Sequence, residues 1–184
     1  DVCGWIDPCP LFARDGRVWL VHALAASRCG LNNMLFVHRM SEDGLQVLDK
    51  GVLIYDGAQH GDVTVEGPKF YEREGTFWIL CPAGGVEQGY QLALRSSRPD
   101  GQYEKRVVLS RGSTEVNGPH QGGWVDDGKG HDWFLHFQDV GVYGRIPHLQ
   151  RVDWSDGWPM MGHGGEPELE GEIGLEPFEA APPT

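Results

Sequence analysis

The stretch Asp7-Pro8-Cys9-Pro10-Leu11-Phe12-Ala13-Arg14-Asp15-Gly16-Arg17-Val18-Trp19-Leu20-Val21 returns 59 positions later, without a gap, as Glu66-Gly67-Pro68-Lys69-Phe70-Tyr71-Glu72-Arg73-Glu74-Gly75-Thr76-Phe77-Trp78-Ile79-Leu80. Gly16 falls on Gly75, Trp19 on Trp78, Arg14 on Arg73 and Asp15 on Glu74. A third copy opens at Asn117-Gly118-Pro119-His120 and, after a four-residue insertion, closes at Gly130-His131-Asp132-Trp133-Phe134-Leu135. A chain built from such units stacks like on like, and on this register Asp7, Glu66 and Asn117 take one position in three successive units.

Each copy carries four to six bulky apolar or β-branched residues after a turn, as in Arg17–His22 and Thr76–Leu80. Runs this short, bounded by Gly, Asp or Pro, read as buried strands rather than helices. Asp15-Gly16, Glu74-Gly75 and Asp100-Gly101 lie between apolar runs, where glycine closes a hairpin at little steric cost. Met34–Arg39, Gly51–Tyr55, Gln91–Arg95 and Arg145–Gln150 are further strand candidates. Pro147 would cost a central strand a ladder bond, so the last is expected at an edge or interrupted. With 27 Gly, 12 Pro and no long amphipathic helical stretch, the chain reads as all-β. A repeat of 51 to 59 residues matches a β-propeller blade and exceeds ankyrin or tetratricopeptide units.

A net charge of −12 argues against nucleic acid or an anionic membrane as partner, since both need a cationic surface. A neutral ligand fits better, and no stretch approaches the length of a membrane span. Cys3, Cys9, Cys29 and Cys81 form neither a C-x-x-C pair nor a zinc ligand set. Packed free thiols are the favoured reading over a disulfide such as Cys3 with Cys9, a lean toward a reducing, cytoplasmic compartment. From Gly164 to Thr184 the sequence turns acidic and proline-bearing, which marks a linker or loosely attached tail behind a domain of residues 1–163.

Equivalent positions of successive blades gather near a propeller axis, so Asp7, Glu66 and Asn117 are expected to converge there. Two carboxylates in one pit suit glycosidic-bond cleavage, which needs an acid on the leaving oxygen and a second carboxylate opposite. Trp5, Phe36, Trp124 and Phe137 lie near the same motifs and could stack on sugar faces. An acidic residue opening a blade can also be a plain turn or cap.

Trp5-Ile6-Asp7-Pro8-Cys9-Pro10, Val65-Glu66-Gly67-Pro68-Lys69-Phe70-Tyr71, Asn117-Gly118-Pro119-His120-Gln121-Gly122-Gly123-Trp124 and His136-Phe137-Gln138-Asp139 with Tyr143-Gly144-Arg145-Ile146 resemble glycoside hydrolase family 43. That family comprises five-bladed propeller β-xylosidases, α-L-arabinofuranosidases and arabinanases. The resemblance covers roughly residues 3 to 162. It implies that Glu66 is the general acid and that Asp7 is the carboxylate that orients it and sustains its pKa. It further implies that Arg145 and His120 reach the sugar before the scissile bond, with Trp124, Phe137 and Gln138 as candidates for subsite walls or, equally, for core packing. His120 could also help hold a hydrated calcium ion, while no redox or nucleotide cofactor is implied.

The resemblance is incomplete in one respect. The family's general base, an aspartate of the first blade, lies upstream of the position matched by Asp7, and no residue here corresponds to it. Asp62 stands too close to Glu66, and Asp139 has its own motif. Five blades of this length need about 255 to 295 residues, so 184 residues hold about three. The expectation is a partial chain of an inverting enzyme acting on xylan- or arabinan-derived oligosaccharides, the alternative a non-catalytic carbohydrate-binding remnant. Exposed blade edges would favour self-association. Glu66-Gly67-Pro68 lacks the cysteine that follows the acid in the related fructan-active families.

Overall fold

A computed structural model of the chain describes residues 4–170. Twelve strands form three four-stranded antiparallel sheets in strict chain order. Blade 1 comprises β1 (Trp5–Phe12), β2 (Val18–Leu24), β3 (Met34–Met40) and β4 (Val52–Asp56). Blade 2 comprises β5 (Lys69–Arg73), β6 (Thr76–Ala83), β7 (Tyr90–Ser96) and β8 (Glu104–Leu109). Blade 3 comprises β9 (His120–Asp126), β10 (Asp132–Asp139), β11 (Arg145–Asp153) and the short β12 (Met160–Met161). Three one-turn helices, α1 (Ala26–Cys29), α2 (Gly57–His60) and α3 (Gly85–Gln88), sit in the connections.

The blades stack face to face, and strand periodicity explains why their central strands are apolar throughout. Side chains alternate between faces along a strand, so a strand covered on both sides loses the polar half of its pattern. In β6, Phe77, Ile79 and Cys81 join a core with Trp19, Val21, Leu35 and Val37 of blade 1. Trp78 and Leu80, on the opposite face, join Phe134, Val152, Trp158 and Met161 of blade 3. The two cores lie on either side of blade 2. The far face of blade 3 has no blade against it, and Val125, Leu135 and Leu149 are exposed there.

The expected strands all form, with ends that shift by a residue or more. Pro147 lies within the nine-residue β11, opposite Phe137 of β10. β12 pairs only with Val152 and Asp153, so at Pro147 the other side of β11 is an edge, and the missing N–H costs no ladder bond. Cys9, Cys29 and Cys81 are free thiols, and Cys3 lies outside the described residues. The acidic segment begins as part of the fold. The Ser110 N–H donates to the Gly165 carbonyl, Glu166 accepts from the backbone and hydroxyl of Ser113, and Gln150 makes paired amide bonds with the Glu168 backbone. The rest of the expected tail, from residue 171 on, lies outside the described residues. No helix among the described residues is long and apolar enough to cross a membrane.

Candidate active site

The first strands of blades 1 and 2 run side by side in the same direction. Asp7 Oδ2 accepts from the Gly67 N–H at 2.9 Å, Cys9 Sγ from the Phe70 N–H at 3.4 Å, and Glu72 Oε2 from the Arg14 N–H at 2.8 Å. The starts of β1 and β5 therefore lie together at one end of the blades, and β9 enters beside them, with its Gln121 N–H held by Gln91 Oε1 at 3.0 Å.

Each of these first strands opens with the same distortion. Ile6 pairs with Ala23 and Cys9 with Val21, so Asp7 and Pro8 together oppose the single residue His22. His120 pairs with Phe137 and Gly123 with Leu135, so Gln121 and Gly122 oppose His136. The Glu66 N–H bonds to the Pro82 carbonyl and Lys69 pairs with Leu80, so Gly67 and Pro68 oppose Cys81. These are β-bulges, two residues against one. The first bulged residue is left-handed in all three, with φ of 52° at Asp7, 53° at Gly67 and 56° at Gln121.

This register corrects the equivalence expected from sequence. Asp7 corresponds to Gly67 and Gln121, while Glu66 corresponds to Ile6 and His120. The cause is the hairpin tip. Ala13 closes on Arg17 across three residues and Asp127 on His131 likewise, whereas Arg73 pairs directly with Thr76 across Glu74 and Gly75 alone. The gapless repeat therefore slides by one along β5, and once His120 is set against Glu66 the four-residue insertion assigned to the third copy shrinks to the single extra residue of its hairpin tip. Asn117 stands outside the bulge, where its Oδ1 accepts from Gln138 Nε2 at 3.0 Å.

Glu66 is half-buried, and its carboxyl makes no hydrogen bond with a described residue. Burial raises its pKa above the ordinary glutamate value, the Asp7 carboxylate raises it further, and the Arg145 guanidinium offsets part of the rise. Its backbone is fixed from several sides. Asn33 Oδ1 accepts from the Val65 N–H at 3.2 Å, and Val63 offers its carbonyl to the Gly84 N–H at 2.7 Å. Upstream, the buried Asp62 carboxylate accepts from Tyr55, from Tyr90 at 2.7 Å and from Lys105 at 2.6 Å. Burial pushes Asp62 up, but these donors outweigh it and hold the carboxyl below the usual range.

Arg145 is exposed, stacks on Phe137 with its guanidinium 4.4 Å from the ring centroid, and acts on the charge of both Glu66 and His120. His120 is 3% exposed, tilted against Phe137 at 5.2 Å, and its Nδ1 meets the Gly118 carbonyl. Burial lowers its pKa. A Cβ at Gly89 would come within 2.6 Å of the His120 ring, so glycine there leaves the imidazole its seat. Asp7, Glu66, His120, Arg145 and Phe137 thus share one end of the blades. Gln138 is tied to Glu115, Asn117 and His148, beside this group. Trp124 is elsewhere: its ring packs between blades against Tyr71 and Trp154, and its Nε1 donates to Asp132. Trp5 stacks on His22 at 3.9 Å, on the free face of blade 1.

Cavities of about 510 Å³ around Trp78 and Trp154 and about 520 Å³ around Val52 and Arg98 open at the opposite, hairpin-tip end. Neither contains Glu66 or Asp7. Calcium takes six to eight oxygen ligands. Among the described residues no three His, Cys, Asp or Glu side chains gather around one point, so these side chains alone do not supply a calcium shell.

A family model described as Glycosyl hydrolases family 43 matches residues 3–159. The chain belongs to this family. A protein of Xylanibacter ruminicola named "Putative beta-xylosidase" is 44% identical over 161 residues, covering 88% of this chain and 29% of that protein. A β-xylosidase of Formosa agariphila is 30% identical over 145 residues, covering 68% of this chain and 24% of that protein. The crystal structure of a xylan β-1,4-xylosidase from Bacillus halodurans superposes with a TM-score of 0.77 at 27% identity, over 96% of this chain and 37% of that one. The three blades are thus part of the family's five-bladed propeller, and the chain spans less than two-fifths of each of these relatives.

Proposed function

We propose that these blades supply the acid side of an inverting glycosidase acting on xylan- or arabinan-derived oligosaccharides. The observation that carries this reading is Glu66: a half-buried carboxyl without a hydrogen-bond partner among the described residues, raised in pKa, and set beside a second carboxylate that is itself anchored to the next residue's N–H. A general acid must hold its proton near neutral pH and release it as the bond breaks. Burial and the Asp7 charge serve the first requirement, and Arg145 steadies the carboxylate left behind. Glu66 protonates the departing glycosidic oxygen. Water, deprotonated by a carboxylate outside these blades, attacks the anomeric carbon from the other face, and acid and base stand about 6.5 to 9.5 Å apart in inverting enzymes. Asp62 does not supply that base, because three donors already hold its carboxylate.

The names of the relatives support β-xylosides as the first substrates to try. The test is hydrolysis of aryl β-xyloside and aryl α-L-arabinofuranoside by this chain joined to the remaining blades of the 44% identical relative, with and without Glu66→Gln. Activity lost on Glu66→Gln is the expected result, and activity that survives it would overturn the assignment.

A further inference from the structure

Of the three left-handed bulge residues, Gly67 shows the conformation at no steric cost, because it lacks a Cβ. Asp7 and Gln121 adopt it with full side chains, a strained choice in an L-residue that persists where the surroundings enforce it and that clusters at functional sites. The Asp7 side chain explains its own strain, since its carboxylate is placed to accept the Gly67 N–H. Gln121 has no such explanation. Among the described residues its side-chain amide makes no hydrogen bond, yet it is not one of the fully enclosed polar atoms. Solvent therefore reaches it.

The amide is nonetheless well placed. Its Nε2 lies 3.5 Å from where a Cβ on Gly67 would stand, next to the Glu66–Gly67 peptide. The backbone beneath it cannot relax: the Gln121 N–H is held by the fully buried Gln91, and a Cβ at Gly122 would come within 1.7 Å of the Leu135 carbonyl oxygen. A carboxamide offers a donor and an acceptor side by side, the pairing that neighbouring hydroxyls of a sugar can use together.

We infer that Gln121 is a sugar-binding residue whose amide takes hydroxyls of the pentose held against Glu66. The inference rests on the glycosidase reading given above, and goes beyond it by assigning a contact to a residue of the third blade. If the left-handed conformation serves only the bulge, glycine at 121 does the same work better. If it serves the sugar, glycine folds as well or better and binds worse.

The experiment uses the 184-residue chain, with xylobiose binding followed by calorimetry and unfolding followed thermally, for the unsubstituted chain and for Gln121→Gly, Gln121→Ala and Glu66→Gln. The expected result is a melting temperature for Gln121→Gly equal to or above that of the unsubstituted chain, with xylobiose bound at least about tenfold more weakly by both Gly and Ala variants. Binding that survives Gln121→Gly within twofold overturns the inference alone. A lowered melting temperature in Gln121→Gly makes the residue structural and overturns it as well. No xylobiose binding by the unsubstituted chain overturns the inference for these three blades, whereas the glycosidase reading falls only if hydrolysis by the joined chain survives Glu66→Gln.

Discussion

The carboxylate of Asp7 accepts a hydrogen bond from the backbone N–H of Gly67, the residue that follows Glu66. One side chain of blade 1 thus fixes the peptide that carries the acid of blade 2 and places a negative charge near its carboxyl. The two effects can be separated by substitution.

Asp7→Asn retains an oxygen to accept the Gly67 N–H, tolerates the left-handed conformation, and removes the charge. Glu66 is then expected to titrate lower than in the parent chain, since the Asp7 charge is one of the groups that raise it. Arg145→Met removes a cation that lowers it, so the same resonance should titrate higher. Carboxyl-carbon NMR titration of Glu66 reads both. Shifts in the opposite senses would show that the charges near Glu66 are arranged otherwise.

A Glu66 pKa above its unfolded value has a consequence for folding. The folded state binds this proton more tightly than the unfolded chain, so ionising Glu66 costs stability, and that cost is complete above its folded pKa. Glu66→Gln should therefore raise the melting temperature at pH 7, with a gain that fades as pH falls through the ordinary glutamate range near about 4.3. Thermal unfolding of the pair across pH 3.5 to 8 checks it. An equal difference at every pH would assign the effect to packing.

Much of this was legible in the residues themselves. The recurrence of Gly16, Trp19 and the runs that follow them carried the blade count, because strands buried on both faces are uniformly apolar and so repeat conspicuously. The outer strands repeat poorly: Glu104-Lys105-Arg106 of β8 faces solvent, and no periodicity marks it. The exact partner of Asp7 was not legible, since a hairpin shortened by one residue shifts one strand of a blade and leaves the other in place. Gln121 escaped notice for a related reason. Its signal is a backbone angle, and only its place in the bulge opposite His136 relates it to Asp7. The place of Trp124 was open in the sequence, because an aromatic beside a site motif can equally be a packing residue between blades.

Asp62 gathers Tyr55, Tyr90 and Lys105 from β4, β7 and β8 around one buried carboxylate. Asp62→Ala leaves three donors without their acceptor and is expected to cost about 3 to 5 kcal/mol. Because its folded pKa is depressed, the support it gives is present above the unfolded value near about 3.9 and is lost as pH falls through the folded one. Denaturant unfolding of Asp62→Ala at pH 7 reads the loss. A change below about 1 kcal/mol would mean that the cluster is already hydrated.

His136 sits in blade 3 where blade 1 has His22 and blade 2 has Cys81, opposite the bulge in each case. It is 2% exposed, its Nδ1 lies 3.2 Å from the Phe137 carbonyl, and its Nε2 lies 3.2 Å from Gln150 Nε2. One neutral tautomer satisfies both contacts, with Nδ1 donating and Nε2 accepting; a second proton would set two donors against each other. Burial, with a smaller contribution from His148, pushes its pKa down to about 4. A folded pKa below the unfolded value near about 6.5 leaves stability intact above 6.5 and erodes it as pH falls toward 4, by roughly 3 kcal/mol in all. His136→Cys copies the blade 2 solution and should flatten this part of the pH profile. Melting temperatures from pH 4 to 8 decide it: a slope between 6.5 and 4 that is unchanged in His136→Cys would place the acid sensitivity in His22 or another group.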